Sequence, residues 1–271
     1  MHHPTTTLAP SSSAPLRPAL RIGILSALPE ELQALLDWMP DERRTALAGR
    51  EFWQGHLHGV DVVAVVCGIG KVAAATTATL LWQRFGVTGL VFTGVAGGLG
   101  EGVRVGDIVV ANALLQHDMD ASPLFPRYEM PGYGRSRFSV HTEWQTRLAH
   151  AARTVLDKLP QRLSADTLHR FHLHHPQVHE GLVISGDRFV ATSGESAALR
   201  AALPDALAVE MEGAAVAQVC HDAGLPLAVI RTISDRADDS AHVDFGRFVQ
   251  QVARSYSAQV LTHWLNNLQN Q

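Results

Sequence analysis

VDVVAVVCGIGKVAAATTATLLWQRFGVTGLVFTGVAGGLG, residues 60–100, decides the fold class. Residues 60–67 and 90–93 are apolar runs without the in–out alternation of a strand that has one face in water. Such strands have to be covered on both faces. Between them lies Lys71–Phe85, Ala-rich, of helical length and introduced by the glycines at 68 and 70. Strand, helix and strand in that order predict a sheet with helices on both sides. Towards the N-terminus, 20–25 is another buried strand, followed by a helix that Pro29 opens with Glu30 and Glu31 in its first turn. Residues 51–58 and 60–67 form a hairpin around His58-Gly59, which makes the sheet mixed. Towards the C-terminus, strands at 105–111, 181–185, 206–209 and 225–230 alternate with helices near 144–156, Ser193–Ala202 and 212–223. Residues 94–100 are expected as a glycine-dense loop and 116–134 as a long one. The last helix lines up Phe245, Phe248, Val249, Val252, Tyr256, Val260 and Trp264 on one stripe. The expected architecture is α/β: a single-domain three-layer α/β/α sandwich with a mixed central sheet over 20–271. Residues 1–19, Pro, Ser and Thr with little to bury, form a disordered leader outside it.

A chain of 271 residues is long enough to bury a core without staples. Its 22 Lys and Arg against 26 Asp and Glu give a formal charge of −4, which leaves no electrostatic footprint for nucleic acid or an anionic membrane. The longest apolar stretches, 62–67 and 225–230, fall far short of the ~20 residues of a membrane span. Cys67 and Cys220 sit inside apolar runs as small hydrophobes, a pattern that fits a reducing cytoplasm better than a disulfide framework.

Two glycine motifs invite a ligand. Gly68-Ile69-Gly70-Lys71-Val72-Ala73 matches a relaxed dinucleotide fingerprint, but the first acid after the next strand is Glu101, too late to hold a ribose at the strand end. Val65 and Val72 stand where a phosphate-binding P-loop needs Gly and Ser or Thr. No nucleotide cofactor is expected. Thr93-Gly94-Val95-Ala96-Gly97-Gly98 is either a tight turn or a place where a ligand approaches the main chain.

Acids follow three predicted strands: Glu31 after the first, Glu210 and Glu212 flanking Met211, and Asp235 after Ser234. One such acid is most often a helix cap or first-turn dipole partner, worth roughly 1 kcal/mol. Three gathered along one sheet edge can divide the roles of base, acid and ligand holder.

The combination of RIGILSALPEE (21–31), CGIGKVAAA (67–75), TGVAGGLGEGVRVGD (93–107) and a C-terminal stretch (181–235) with SGDRF, VEMEG and ISD resembles the methylthioadenosine/S-adenosylhomocysteine nucleosidases of the purine nucleoside phosphorylase superfamily. The resemblance spans about residues 20–265. It implies hydrolysis of the N-glycosidic bond of methylthioadenosine, S-adenosylhomocysteine or a related 5′-substituted adenosine. Glu31 then stands where the family activates the attacking water, and Asp235, with Ser234 beside it, where it protonates adenine at N7. Glu212 matches the carboxylate on the ribose hydroxyls and Met211 the side chain against the sugar. Phe189 and Val190 stand at the purine, and Ala96 and Gly97 supply main-chain contacts. Glu210 and Ile69 complete the substrate set, and Phe125, after Leu124, suits an apolar 5′ group. The resemblance also implies a homodimer, a small adenine nucleoside as partner, and neither cofactor nor metal.

The chemistry is consistent with those roles. Adenine leaves poorly as an anion, so N7 has to be protonated as it departs. A carboxylate stabilises the oxocarbenium-like sugar left behind. To donate near neutral pH, Asp235 needs a pKa raised by burial or by neighbouring carboxylates. Phosphorolysis would require an anion cradle, whereas Ser26-Ala27-Leu28-Pro29-Glu30-Glu31 places two carboxylates in the loop that related phosphorylases use for it. The chain departs from the family at Val95, often Ser, at Pro29, which replaces an acid, and at 117–128, one residue shorter where the family lines the 5′ end, partly from the neighbouring subunit. His169, His172, His174, His175 and His179 form a tract that imidazole chemistry allows to bind Zn or Ni. With Glu180 as the one nearby acid, it is read as a solvated loop.

Overall fold

The first apolar run forms β1 (Arg21–Ser26), buried at five of its six positions, and Pro29 starts α1 (Pro29–Leu36). The computed structural model describes residues 19–237 and 245–269. All but the last residue of the 1–19 leader therefore lies outside the described residues.

The hairpin is β3 (Arg50–Leu57) with β4 (Val60–Val66), and it carries a further edge strand, β2 (Arg43–Leu47). Four of the five residues in RRTAL are exposed, so β2 lacks the apolar signal by which buried strands are found. α2 (Lys71–Phe85) matches the sequence reading and ends at Gly86, whose φ of 63° supplies the left-handed turn.

The expected loop at 94–100 is corrected. β5 (Gly89–Gly98) continues through it as a strand, because β10 (Leu227–Asp235) pairs with it in parallel from Leu90 to Gly97. β6 (Ile108–Gln116) begins later than expected, and β7 (Arg137–Ser139) is a short addition beside it. There follow α3 (Thr142–Leu156), α4 (Ala165–Arg170), β8 (Val178–Ser185), α5 (Ser193–Ala202), β9 (Ala206–Glu210) and α6 (Gly213–Ala223). After β10 the chain ends in α7 (Phe245–Phe248), a π-helical turn and α8 (Arg254–Gln269).

Helices cover both faces of the sheet. On one side α1, α3 and α8 bury Leu32, Leu35, Leu148, Tyr256, Leu261 and Trp264, with Trp144 and Trp264 edge to face at 5.2 Å. On the other, α2 and α6 bury Ala74, Ala78, Leu81, Ala214, Val216 and Ala217. This is the three-layer sandwich with a mixed sheet. Its order is β10-β6-β8-β9-β5-β1-β4-β3-β2, and the extra β10–β5 pairing closes five of the strands into a ring.

That ring corrects how the acids are brought together. β1, β4, β5 and β10 are mutually parallel, while β6 lies antiparallel to β10 and β9 antiparallel to β5. The carboxyl ends therefore do not share one edge. β5 and β9 pair only at Gly97–Val209 and Gly98–Ala208, near the last residues of both, so two opposed sets of strands meet end to end.

The histidine tract is solvated at His169, His172, His174 and His175. His179 instead lies in β8 and pairs with the buried Asp107 at 2.8 Å. Among the described residues, no group of three or more His, Cys, Asp or Glu is placed to hold a metal. Among them, too, no helix is long and apolar enough to cross a membrane.

Candidate active site

Glu31 occupies the first turn of α1 and is fully buried. One carboxylate oxygen accepts the Ser26 hydroxyl at 2.5 Å and the Leu28 amide at 3.3 Å. The other, Oε1, has no hydrogen-bond partner among the described residues. Burial pushes the group up to about 6, opposed by the Ser26 hydrogen bond and the charge of Arg231.

The end of β9 delivers two carboxylates with different tasks. Glu210 is fully engaged: it accepts the Glu212 amide at 3.2 Å, the Gly213 amide at 2.8 Å, the Ser185 hydroxyl, and Nη2 of Arg231 at 2.7 Å. It caps the N-terminus of α6, where negative charge is favoured. Arg231, 1% exposed, lies 4.1 Å above the Phe92 ring and also donates to the Phe92 and Ile230 carbonyls. A buried pair of this kind contributes little net stability, yet removing one partner typically costs about 3–5 kcal/mol. Glu212 points elsewhere, and its Oε1 accepts the Gly70 amide at 2.7 Å. Burial, then the negative charge of Glu210, pushes Glu212 up to about 7.

Asp235 ends β10 just past a bulge. Its two oxygens accept the Ser234 hydroxyl and the Ala237 amide, each at 2.7 Å. Ser234 Oγ is also 3.4 Å from the Ala96 carbonyl, so the hydroxyl can donate there and accept from a protonated Asp235. Gly97 makes this approach feasible, since a Cβ there would lie 3.0 Å from Asp235 Oδ1 and 2.8 Å from the Ala237 methyl.

These groups surround one cavity of about 170 Å³. Ile69, Ala96, Gly97, Phe189, Val190, Glu210, Met211, Glu212, Ser234 and Asp235 all line it. Glu31 sits just beneath the wall, its Oε1 3.6 Å from where a Cβ on the cavity-lining Gly94 would be.

Residues 21–266 match the family model of the phosphorylase superfamily. A 5′-methylthioadenosine/S-adenosylhomocysteine nucleosidase from Streptococcus pneumoniae, solved with the transition-state inhibitor MT-ImmA, is 34% identical with a TM-score of 0.79 over 92% of this chain and 100% of that one. The corresponding nucleosidase from Colwellia psychrerythraea, in complex with adenine, is 35% identical with a TM-score of 0.79 over 92% of this chain and 96% of that one. A futalosine hydrolase mutant from Helicobacter pylori is 30% identical, also at 0.79, over 92% and 100%. The chain belongs to the methylthioadenosine/S-adenosylhomocysteine nucleosidase family.

Of the residues at family positions, Phe125 stands apart: it is half-buried and does not line the cavity of its own chain. Glu210 lines the cavity, and its oxygens also anchor Arg231 and the first amides of α6. Arg231 and Ser185 were not singled out from the sequence. Arg231 carried a legible signal, a lone cation inside the nine-residue buried run LAVIRTISD, which requires an internal counter-charge.

Proposed function

We propose that Glu31, Asp235 and Glu212 divide the work of a nucleosidase as water-activating base, leaving-group acid and sugar holder. The chain is a nucleosidase-type hydrolase that cleaves the N-glycosidic bond of methylthioadenosine- or S-adenosylhomocysteine-like nucleosides and releases adenine. The observation that carries the assignment is that Glu212 at the start of α6 and Asp235 at the end of β10 line one cavity while Glu31 of α1 lies just beneath its wall. Asp235 passes a proton to N7 as the bond from N9 to the anomeric carbon breaks, and the base leaves neutral. Water adds to the anomeric carbon of the sugar cation and gives up a proton to Glu31, whose Oε1, without a partner among the described residues, lies beside the cavity wall. With a value of about 6, Glu31 is mostly ionised at neutral pH and able to accept that proton. Glu212 receives the ribose hydroxyls and faces the developing positive charge. In this reading Phe189 and Val190 border the base and Met211 the sugar, Ala96 and Gly97 offer main-chain groups, and Ile69 adds to the cavity wall.

Hydrolysis is favoured over phosphorolysis by the charge balance. Two arginines line the cavity, and both are paired: Arg231 with Glu210, Arg188 with Glu195. Adenine release in phosphate-free buffer should proceed at the rate seen with phosphate present. Strict dependence on phosphate overturns water as the nucleophile.

The similarity to a futalosine hydrolase supports a second reading, in which the substrate is another 5′-substituted nucleoside. We further propose a homodimer, in which Val72 and Leu124, 78% and 85% exposed, are apolar side chains that a second subunit would cover. A monomer in sedimentation at micromolar concentration rejects it. We also propose a reducing cytoplasmic setting, a reading supported by two cysteines that are buried and free.

A further inference from the structure

The lysine of the glycine motif has no phosphate to bind, yet it is the centre of a polar knot. Lys71 Nζ donates to Asp118 Oδ1 at 2.6 Å and to Gln116 Oε1 at 3.0 Å. The other oxygen of Asp118 accepts the Asp187 amide at 2.9 Å. Asp187 Oδ1 in turn accepts the Lys71 amide at 2.7 Å, so the three residues close a ring. Gly70, the N-cap of α2, has no side chain to cap with, and Asp187 supplies that acceptor from another segment.

The three members of the ring come from three different stretches of chain, two of which border the cavity. Lys71 follows Ile69, which lines it, and Asp187 precedes Arg188, Phe189 and Val190, which also do. Asp118 belongs to the long segment after β6. The amide directly before Lys71 is the one that holds Glu212. Two consecutive amides at the start of α2 thus go to two carboxylates, one inside the cavity and one in the ring. Fixing Lys71 fixes the direction of the Gly70 amide, and through it Glu212. The lysine side chain is only 16% exposed and that of Asp118 33%, so solvent weakens this pair less than a surface bridge. Although burial acts the other way, hydrogen bonds from Lys71 and the Asp187 amide hold the Asp118 carboxyl below its ordinary value.

We propose that Lys71, Asp118 and Asp187 are positioning residues, a clasp that aligns Glu212 with the ribose and sets the spacing of the cavity walls. The proposal rests on Glu212 holding the sugar, and the test separates the two.

The measurement is kcat/KM for 5′-methylthioadenosine and for its 3′-deoxy counterpart, in the wild type, Glu212→Ala, Lys71→Met, Lys71→Arg and Asp118→Asn. The ratio between the two nucleosides reads how well the enzyme uses a ribose hydroxyl. In Glu212→Ala the ratio should collapse towards one. In Lys71→Met and Asp118→Asn it should fall by about tenfold, the worth of one misaligned hydrogen bond to a charged group. Lys71→Arg, which keeps a cation near Asp118, should recover most of the loss, whereas a merely structural role predicts a fall in melting temperature with the ratio unchanged. Should Lys71→Met not fold, Asp118→Asn decides, because it preserves shape and one acceptor oxygen. A collapsed ratio in Glu212→Ala beside a wild-type ratio in the folded clasp variants overturns the clasp alone. An unchanged ratio in Glu212→Ala overturns the sugar-holding role and the clasp with it.

Discussion

Asp235→Asn is expected to lower kcat by about 10²–10⁴-fold, the usual worth of a positioned general acid, while binding of adenine itself changes little. The asparagine keeps the shape and can still accept the Ala237 amide that Asp235 Oδ1 holds at 2.7 Å. What it cannot do is deliver a proton to N7. A nucleoside with carbon in place of N7 provides the control, because it offers no acceptor for that proton. Wild type and variant should be equally slow on it, and the large difference should appear only on the natural base. Retention of more than about a tenth of wild-type kcat by Asp235→Asn would remove this residue from the chemistry, since a general acid contributes at least ~10²-fold. A variant that also fails to bind adenine would point to loss of the Ser234–Asp235 hydrogen bonding instead of loss of an acid.

The roles assigned to Asp235 and Glu31 draw on residues some 200 positions apart, and the sequence showed them unevenly. Buried strands were legible because a run such as 62–66, VVAVV, has no polar positions to offer water. α2 was legible because glycines punctuate it at both ends. The edge strand β2 was not, since its exposed residues carry no pattern, and its pairing is decided by the neighbouring hairpin. The glycine-dense end of β5 looked like a loop because glycine disfavours strands locally. Pairing with β10 along Gly94–Gly97 outweighs that preference, and the lack of side chains lets Asp235 come close.

The site was legible where motif and strand end coincide, at Glu31, Glu212 and Asp235. The networks that hold those groups were not. Glu210 flanks Met211 and lines the cavity, but nothing local in the sequence announces that its oxygens also take up Arg231 and the α6 amides. The ring of Lys71, Asp118 and Asp187 joins positions 116 residues apart at its widest. Only the folded chain shows that GIGK, HDMD and SGDRF meet. Phe125, placed at the 5′ end by resemblance alone, does not line the cavity of its own subunit.

Glu31→Gln is expected to have the second large effect, a loss of about 10²–10⁴-fold in kcat, together with a change in pH dependence. A base has to be ionised to work, and burial sets Glu31 at about 6. While a fall at higher pH belongs to Asp235 losing the proton it delivers, wild-type kcat should rise with pH through about 6 on its acid limb. Whatever activity the glutamine variant retains should lack that limb. Glu212, at about 7, contributes its own ionisation to sugar binding, and so should shape the pH dependence of KM in both proteins. The same substitution should act on stability in the opposite sense. The folded value of Glu31 lies above its ordinary 4.5, so its contribution to stability is fully present below about 4.5 and is lost as pH rises through about 6. At pH 8 the buried, ionised carboxylate opposes folding by roughly 2 kcal/mol. Glu31→Gln keeps an acceptor for Ser26 and Leu28 but carries no charge, and in denaturant unfolding it should be the more stable protein at pH 8 and show no advantage at pH 4. A variant inactive and equally destabilised at both pH values would mean that Glu31 is a packing residue. Inactivity combined with a pH-dependent gain in stability is the signature of a carboxylate kept buried for its basicity.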